Sequence, residues 1–316
     1  MRLGGLASTL SILGSLSILW SGAADAQQLD FSRVALSGEE RLSYRWRDLD
    51  RREQATAFTL TRQDIREAEA SFKDFSFDGM WDDIAANLRD ETARFGSGAQ
   101  IEISLAGDRL SWTVKVRDPA SQEVLVGKLK ERFQRAQKAY LARHLRQRLD
   151  EGRIMVDFAA ATRALQEPMR AVAKALGTTP GIADDDRARV TLALAFFQQV
   201  PYATLGDAAR RGGDFLPAPA LLAQNRGDCD SKVVALAAVL RTYTPWRKLA
   251  VIVMPGHAVL GVDLPARLGE QTVRAQARQY VALEPAGPMM VPVGDVAPQA
   301  AKYLAEARAI EIWPLN

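Results

Sequence analysis

The alternation of apolar and polar residues predicts two β-hairpins in the first half of the chain. Apolar side chains alternate with polar ones over 42–46 and 56–60, on either side of a charged turn at 48–53. The same alternation recurs over 101–116, where it is interrupted by a turn that contains Gly107. A period of two residues is typical of a strand with one buried face, so each pair of segments is expected to form a hairpin.

Helical spacing of apolar residues follows each of these hairpins. It predicts helices over 63–72 and 81–95, and a long helix from Pro119 to about Leu149. The long helix is basic, with Lys128, Lys130, Arg132, Arg135, Lys138, Arg143, Arg146 and Arg148. Because acidic residues are interspersed, a solvated face is favoured over a surface for acidic polymers or anionic lipids.

The second half of the chain has the pattern of helices followed by strands. Helices are expected over 158–176, where Gly177 ends the segment, over 187–199, and from about Cys229 onwards. The later elements are three strands, a helix and an edge strand, at 249–254, 257–262, 280–283, 297–309 and 310–314. This mixture of helices and hairpin-like strands predicts an α+β fold.

The amino-terminal segment has the features of a cleavable signal peptide. Arg2 supplies a positive charge, residues 3–20 are apolar or small, and Ala24 and Ala26 form a small-residue cleavage site. We therefore expect a signal peptide over 1–26 and a mature protein that is periplasmic or secreted. An uncleaved membrane anchor is the alternative, but the glycines and serines of the segment disfavour it. The later sequence contains no other apolar run long enough to cross a bilayer.

The remaining length suits two modest domains. The first is predicted over 27–157 as a smaller α+β module that contains the hairpins and the long basic helix. The second is predicted over 158–316 and contains the candidate catalytic residues. The strand-like segment 153–156 lies close to the expected boundary.

Composition narrows the classes of function. A formal net charge of +3 with 25% charged residues is too small a bias to indicate nucleic-acid binding. The chain has a single cysteine, so an exported protein of this sequence must be stabilised without an internal disulfide. The sequence has no glycine-rich phosphate loop, dinucleotide fingerprint or group of cysteines and histidines, so we expect no cofactor and no metal.

The single cysteine, Cys229, lies at the predicted start of a helix. Gly227 and Asp228 form a turn and helix-capping signal, and apolar residues follow at helical spacing from Val233. The unpaired N–H groups of a first helical turn carry a partial positive charge, which favours thiolate over thiol. A lone cysteine is more often an inert buried side chain than a nucleophile. Other residues of the chain must therefore indicate which of these roles Cys229 has.

Two other residues, which lie later in the chain, complete a possible catalytic set. His257 begins the predicted strand 257–262, and Glu284 follows the predicted strand 280–283. If these strands are antiparallel neighbours, the start of one lies beside the end of the other, about 5 Å away. A thiol, an imidazole and a carboxylate in this arrangement are the parts of a Cys-His-acid triad.

Three segments, in this order, resemble the signature blocks of the transglutaminase-like cysteine peptidase superfamily. They are residues 227–232 (GDCDSK), 256–260 (GHAVL) and 283–285 (LEP), within a resemblance that extends from about 187 to 288. The resemblance implies a papain-like core in which a cysteine-bearing helix packs on an antiparallel sheet. It also implies Cys229 as the nucleophile, His257 as the general base and acid, and Glu284 as the orienting carboxylate. The acid of this family is more often aspartate.

The two glutamines at the end of the predicted helix 187–199 are candidates for a further role. A side-chain amide of Gln198 or Gln199 could donate to an oxyanion beside the backbone N–H of Cys229. The alternative for each glutamine is a solvated helix end.

The function implied by the resemblance is acyl transfer through a thioester on Cys229. The protein would be an exported peptidase or amidase that acts on a protein or peptide of the cell envelope. Transamidation, in which an amine instead of water resolves the thioester, is an alternative. One alternative is a catalytically silent scaffold that binds an envelope protein. Another is a redox-sensing cysteine that does not depend on His257 or Glu284.

Overall fold

The computed structural model describes residues 28–96, 98–107, 109–181, 183–207, 214–287 and 289–315. The signal peptide predicted over 1–26 lies outside these residues. Within them, the chain forms two compact units. The smaller unit consists of 73–157 with 206–207, and the larger one of 28–72, 158–205 and 214–315. The predicted module 27–157 is therefore divided, because residues 28–72 belong to the unit that contains the candidate site.

The larger unit begins with a three-stranded antiparallel sheet in the order β1-β2-β3. The strands are β1 (Gln28–Ala35), β2 (Glu39–Arg47) and β3 (Glu53–Thr61), and helix α1 (Arg62–Asp74) follows. The predicted hairpin and helix are confirmed. Strand β1 was not predicted, since it is an edge strand with no clean alternation of buried and exposed residues.

The smaller unit is an α+β arrangement around its own apolar core. Its elements are α2 (Phe77–Phe95), β4 (Gln100–Ala106), β5 (Arg109–Lys115), α3 (Pro119–Arg143), β6 (Arg146–Arg148) and β7 (Ile154–Val156). Asp118 caps α3 by accepting a hydrogen bond from the Ser121 N–H. Helices α2 and α3 pack together through buried side chains such as Leu88 and Leu129.

Helix α3 ends six residues earlier than the predicted Leu149. Leu145 adopts a positive φ of 56°, and β6 then pairs antiparallel with β7. The backbone groups of 146–148 are therefore bonded to a strand rather than to the preceding helical turn. Arg146 and Arg148 consequently lie on a strand and do not belong to the basic helix.

The larger unit continues with five helices, the last of which begins at the candidate nucleophile. They are α4 (Phe158–Leu165), α5 (Arg170–Gly177), α6 (Asp186–Gln199), α7 (Ala218–Gln224) and α8 (Cys229–Tyr243). The single helix predicted over 158–176 is wrong, because it is divided between α4 and α5 at Pro168. Proline has no N–H to donate and its ring obstructs the preceding turn.

A five-stranded antiparallel sheet completes this unit, in the order β10-β11-β9-β8-β12. Its elements, with one intervening helix, are β8 (Leu249–Met254), β9 (His257–Val262), β10 (Thr272–Ala275), β11 (Arg278–Leu283), α9 (Pro298–Glu306) and β12 (Glu311–Pro314). The predicted strands and the edge position of β12 are confirmed. The four-residue strand β10 was not predicted.

Helix α8 is the centre of this unit. Residues 231–240 are all buried, so the helix is covered on every side rather than on one stripe. It packs against β9 and against α4, α5, α6 and α7. The described helices and antiparallel sheets establish an α+β fold, and none of those helices has the length and apolar composition to span a membrane.

The first sheet packs onto the helices beside α8. Tyr44, Trp46 and Phe58 all contact the ring of Phe196 on α6, at centroid distances between 5.1 and 6.2 Å. The buried Tyr44 hydroxyl also donates a 2.6 Å hydrogen bond to the Leu222 carbonyl of α7. The strands 28–61 are therefore part of the core that supports the candidate site.

Replacing Tyr44 with phenylalanine tests this attachment. We expect Tyr44→Phe to lower the free energy of unfolding by about 1 kcal/mol, because one buried hydrogen bond is lost while ring packing is retained. The Leu222 carbonyl keeps a second donor, the Asn225 N–H at 3.1 Å, so a larger loss is not expected. Urea unfolding measures the change, with Tyr303→Phe as a partly exposed control. An unchanged stability would contradict the importance of this contact.

Candidate active site

The start of α8 is fixed by capping and by close backbone packing. Asp228 caps the helix, and its carboxylate accepts a 3.0 Å hydrogen bond from the Ser231 N–H. A Cβ atom at Gly227 would lie 2.6 Å from Leu221 Cδ1, so only glycine fits there without displacement. Cys229 is the first residue of the helix and is partly exposed. The predicted helix start is thus confirmed.

The segments before α8 are held against it by hydrogen bonds. The buried hydroxyl of Ser231 accepts from the Leu216 N–H at 2.9 Å. Tyr202 pairs with Gly227 in an isolated parallel bridge. Because of this bridge, the Tyr202 segment runs beside the turn that leads into Cys229, and 45% of the Tyr202 surface remains exposed.

His257 and Glu284 form a direct pair across neighbouring strands. His257 begins β9, Glu284 follows β11, and the two strands are antiparallel with Leu283 opposite Leu260. His257 Nε2 lies 2.7 Å from Glu284 Oε2, and the Glu284 side chain is almost completely buried. The other carboxylate oxygen accepts from the Ala286 N–H at 3.3 Å. The juxtaposition that the strand pattern predicted is present.

Cys229 approaches the same strand from the helix side. Helix α8 packs on β9, and the backbone N–H of Ala258, next to His257, acts to lower the pKa of Cys229. The thiol itself is 3.7 Å from Asp230 Oδ1, within the distance of a weak sulfur hydrogen bond. The structure therefore brings Cys229, His257 and Glu284 into one region.

The surroundings of the thiol oppose its ionisation. Burial raises the pKa of Cys229 well above its ordinary value, and the carboxylates of Asp230 and Asp228 raise it further, while the Ala258 N–H acts in the opposite direction. The helix-start charge that was predicted to favour the thiolate is therefore outweighed here by burial and by these carboxylates. A thiolate at this position requires a nearby positive charge.

His257 is the group that can supply such a charge. Burial disfavours its charged form, but the charge of Glu284, their hydrogen bond and the charge of Asp230 outweigh burial, so the pKa of His257 is raised. With Nε2 bonded to Glu284, Nδ1 is the ring nitrogen left to accept a proton from another group. The imidazole of His257 is therefore protonated more readily than that of an ordinary histidine.

The oxyanion prediction is wrong for Gln198. Its amide nitrogen donates to two carbonyls, those of Glu284 and Val291, each at 2.9 Å, so both hydrogens are engaged. Gln199 accepts from Gln28 at 2.7 Å, and its own amide nitrogen is buried with no acceptor among the described residues. Both glutamines are fully buried, which also excludes the solvated helix end considered for them.

Sequence reasoning missed two residues of this region. Lys232 is completely buried one turn after Cys229, and its side-chain ammonium donates to the Val200 and Ala286 carbonyls. The pKa of Tyr202 is raised by burial and by the nearby negative groups of the site, Cys229 first among them. The only sequence signal for the role of Lys232 was the position of a charged residue within a helix that is otherwise largely apolar. The strand bridge of Tyr202 had no local signal.

The described residues contain no group of three or more histidine, cysteine or acidic side chains arranged to hold a metal ion.

Comparison of the chain with protein-family models, with curated proteins and with solved structures found no match.

Substitution of Gln198 and Gln199 compares what each side chain contributes to the stability of the fold. We expect Gln198→Met to lower the free energy of unfolding by about 2 kcal/mol or more, because two buried carbonyls lose their donor. The matched variant Gln199→Met should cost about half as much, since it removes a single acceptor for Gln28. Guanidinium unfolding of both variants provides the comparison. Equal losses would contradict the role assigned to Gln198.

Glu284→Gln tests the electrostatic coupling of the pair. We expect the pKa of His257 to fall by about one unit or more, because the neighbouring negative charge is removed. NMR titration can follow it directly, since the chain contains two histidines and His144 serves as the internal reference. In the wild type, the raised pKa stabilises the fold fully below about pH 6.5, and this contribution disappears as the pH rises through the folded-state value. The variant should lack that contribution. An unchanged pKa of His257 in Glu284→Gln would rule out the coupling between the two side chains.

Proposed function

We propose that this protein is a cysteine-dependent acyl-transfer enzyme, a peptidase or amidase with Cys229, His257 and Glu284 as its triad. The observation that carries the proposal is the 2.7 Å contact between His257 Nε2 and the buried Glu284 carboxylate, at the strand on which the cysteine helix packs. A carboxylate that orients an imidazole beside a helix-start thiol is the arrangement that such catalysis needs.

The proposed reaction consists of proton transfers through His257 and acyl transfer through Cys229. The Cys229 thiol transfers its proton to His257 Nδ1 as its sulfur attacks the substrate carbonyl, and Glu284 stabilises the resulting imidazolium. His257 then protonates the amine that leaves, and a thioester remains on the sulfur. Water, activated by His257, releases the acid and restores the thiol. An amine in place of water would give transamidation.

The tetrahedral intermediate needs a hydrogen-bond donor for its oxyanion. The N–H groups of the first helical turn have no partners within the helix, which makes the backbone N–H of Cys229 the leading candidate. Gln199 remains a second candidate, because its buried amide nitrogen lacks an acceptor among the described residues.

The proposed substrate is a protein or peptide of the cell envelope, in keeping with the signal peptide predicted over 1–26. The resemblance to transglutaminase-like cysteine peptidases favours hydrolysis over transamidation. The predicted signal peptide, with cleavage after Ala26, favours a periplasmic or secreted location for the mature protein.

A second candidate function is a binding scaffold with a silent site. The observation that favours it is the raised pKa of Cys229, since burial and two carboxylates disfavour the thiolate. In a scaffold the thiol would not depend on His257.

The pH dependence of Cys229 alkylation separates the two functions. We expect iodoacetamide to modify the wild type well below the ordinary thiol pKa of about 8.5, because proton transfer to His257 supplies the thiolate. His257→Ala should react only above that pH. Intact mass measures the modification between about pH 4 and pH 9, and Cys229→Ser controls for other sites. Identical profiles for wild type and His257→Ala would favour the scaffold.

Oxygen-18 water distinguishes the possible fates of the thioester. Peptide amides incubated with the wild type in labelled water should yield acids that carry one heavy oxygen from hydrolysis. Products that instead incorporate an added primary amine would identify transamidation. Cys229→Ser should give neither product, and mass spectrometry reads all three cases.

A further inference from the structure

Lys232 occupies an unusual position for a lysine. It lies on α8 three residues after Cys229, with none of its surface exposed, in a run of buried residues that is otherwise apolar except for Ser231. Lysine is almost never fully buried unless its charge is paired. An apolar side chain of similar volume would normally be as favourable at a buried site, so the contacts of this lysine need a specific explanation.

The ammonium group joins α8 to two other segments of the larger unit. It donates to the Val200 carbonyl at the end of α6 and, at 2.5 Å, to the Ala286 carbonyl. Ala286 lies two residues after Glu284, and its own N–H bonds the Glu284 carboxylate. Lys232 therefore anchors the turn that carries the triad acid to the helix that carries the nucleophile.

Gln198 supports the same turn from its other side. Its amide donates to the Glu284 carbonyl, and the chain leaves the turn through Gly287, which has a φ of +63°. A Cβ atom at Gly287 would lie 2.5 Å from the Gln198 carbonyl oxygen and 3.6 Å from Lys232 Nζ. The turn is thus closely packed between Gln198 and Lys232.

The charges that face Lys232 belong to the candidate site. Burial lowers the pKa of Lys232 to about 7, whereas Glu284, Asp228 and Cys229 act to raise it. The ammonium group of Lys232 is thus attracted to the negative charges of these three groups. The ammonium group of Lys232 also contacts two uncharged acceptors, the backbone carbonyls of Val200 and Ala286.

We propose that Lys232 is a positioning residue of the triad: it holds the Glu284 turn against α8 and provides a buried positive charge for the carboxylate and the thiolate. The proposal rests on the proposed function. In this role Lys232 adds a second buried positive charge, besides that of His257, to a site in which burial and acidic groups disfavour the thiolate.

Lys232→Met tests the proposal, since methionine keeps the length and apolar stem but has neither donors nor charge. We expect the thiolate midpoint of Cys229, from the iodoacetamide pH profile, to rise by about one pH unit, which corresponds to about tenfold slower alkylation below the midpoint. Lys174→Met, which removes an exposed lysine from α5 of the same unit, should leave the profile unchanged. Thermal unfolding verifies that each variant is folded.

The same profiles separate failure of this proposal from failure of the proposed function. If the wild type lacks alkylation that depends on His257, the triad itself is wrong. If the wild type shows it and folded Lys232→Met retains the same midpoint, the role of Lys232 alone is overturned.

A second measurement applies even if Lys232→Met does not fold. In protein labelled with nitrogen-15 at lysine Nζ, we expect the midpoint of Lys232 to move to lower pH in Glu284→Gln, because a neighbouring negative charge is lost. The exposed Lys174 should not move. An unchanged Lys232 midpoint in this variant would refute the coupling between the lysine and the acid.

Discussion

The arrangement around the start of α8 depends on the need to pair buried charges. Glu284 is only 2% exposed, and an isolated carboxylate at that depth would be strongly unfavourable. Its pairing with His257, the Ala286 N–H and the nearby charge of Lys232 meets this need. Because these groups come from three separate segments, the pairing also fixes the helix, the strand and the turn relative to one another.

The ionisation of Cys229, the candidate nucleophile, depends on a competition between two effects. The helix N-terminus favours a negative charge by about 0.3–1 kcal/mol, which is less than one pKa unit. Burial alone can shift a pKa by up to about 3–5 units, and Asp228 and Asp230 add to it at Cys229. The helix N-terminus is therefore too weak to offset burial and the two carboxylates at this thiol.

The amino-terminal sheet contributes to the site through the helix ends that it covers. Gln28, at the start of β1, exchanges hydrogen bonds of 2.9 and 2.7 Å with Asn225 and donates to Gln199. Asn225 ends α7 with a left-handed φ of 51°, four residues before Cys229. A sheet that would be expected to form a separate module thus stabilises the approach to the nucleophile.

The sequence by itself determined the elements whose signals are local: the cap at Asp228 and the alternating strands, including β9, which begins at His257, and β11, which ends before Glu284. The pairing of β9 with β11, which brings His257 to Glu284, was decided by the assembled sheet. Pro168 was also a local signal, and it marks the break between α4 and α5. Only the tertiary structure decided the partners of Gln198, the grouping of 28–72 with the site, and the direction of the Cys229 pKa shift. These depend on burial and on contacts between residues far apart in the chain, which no local pattern of residue types encodes.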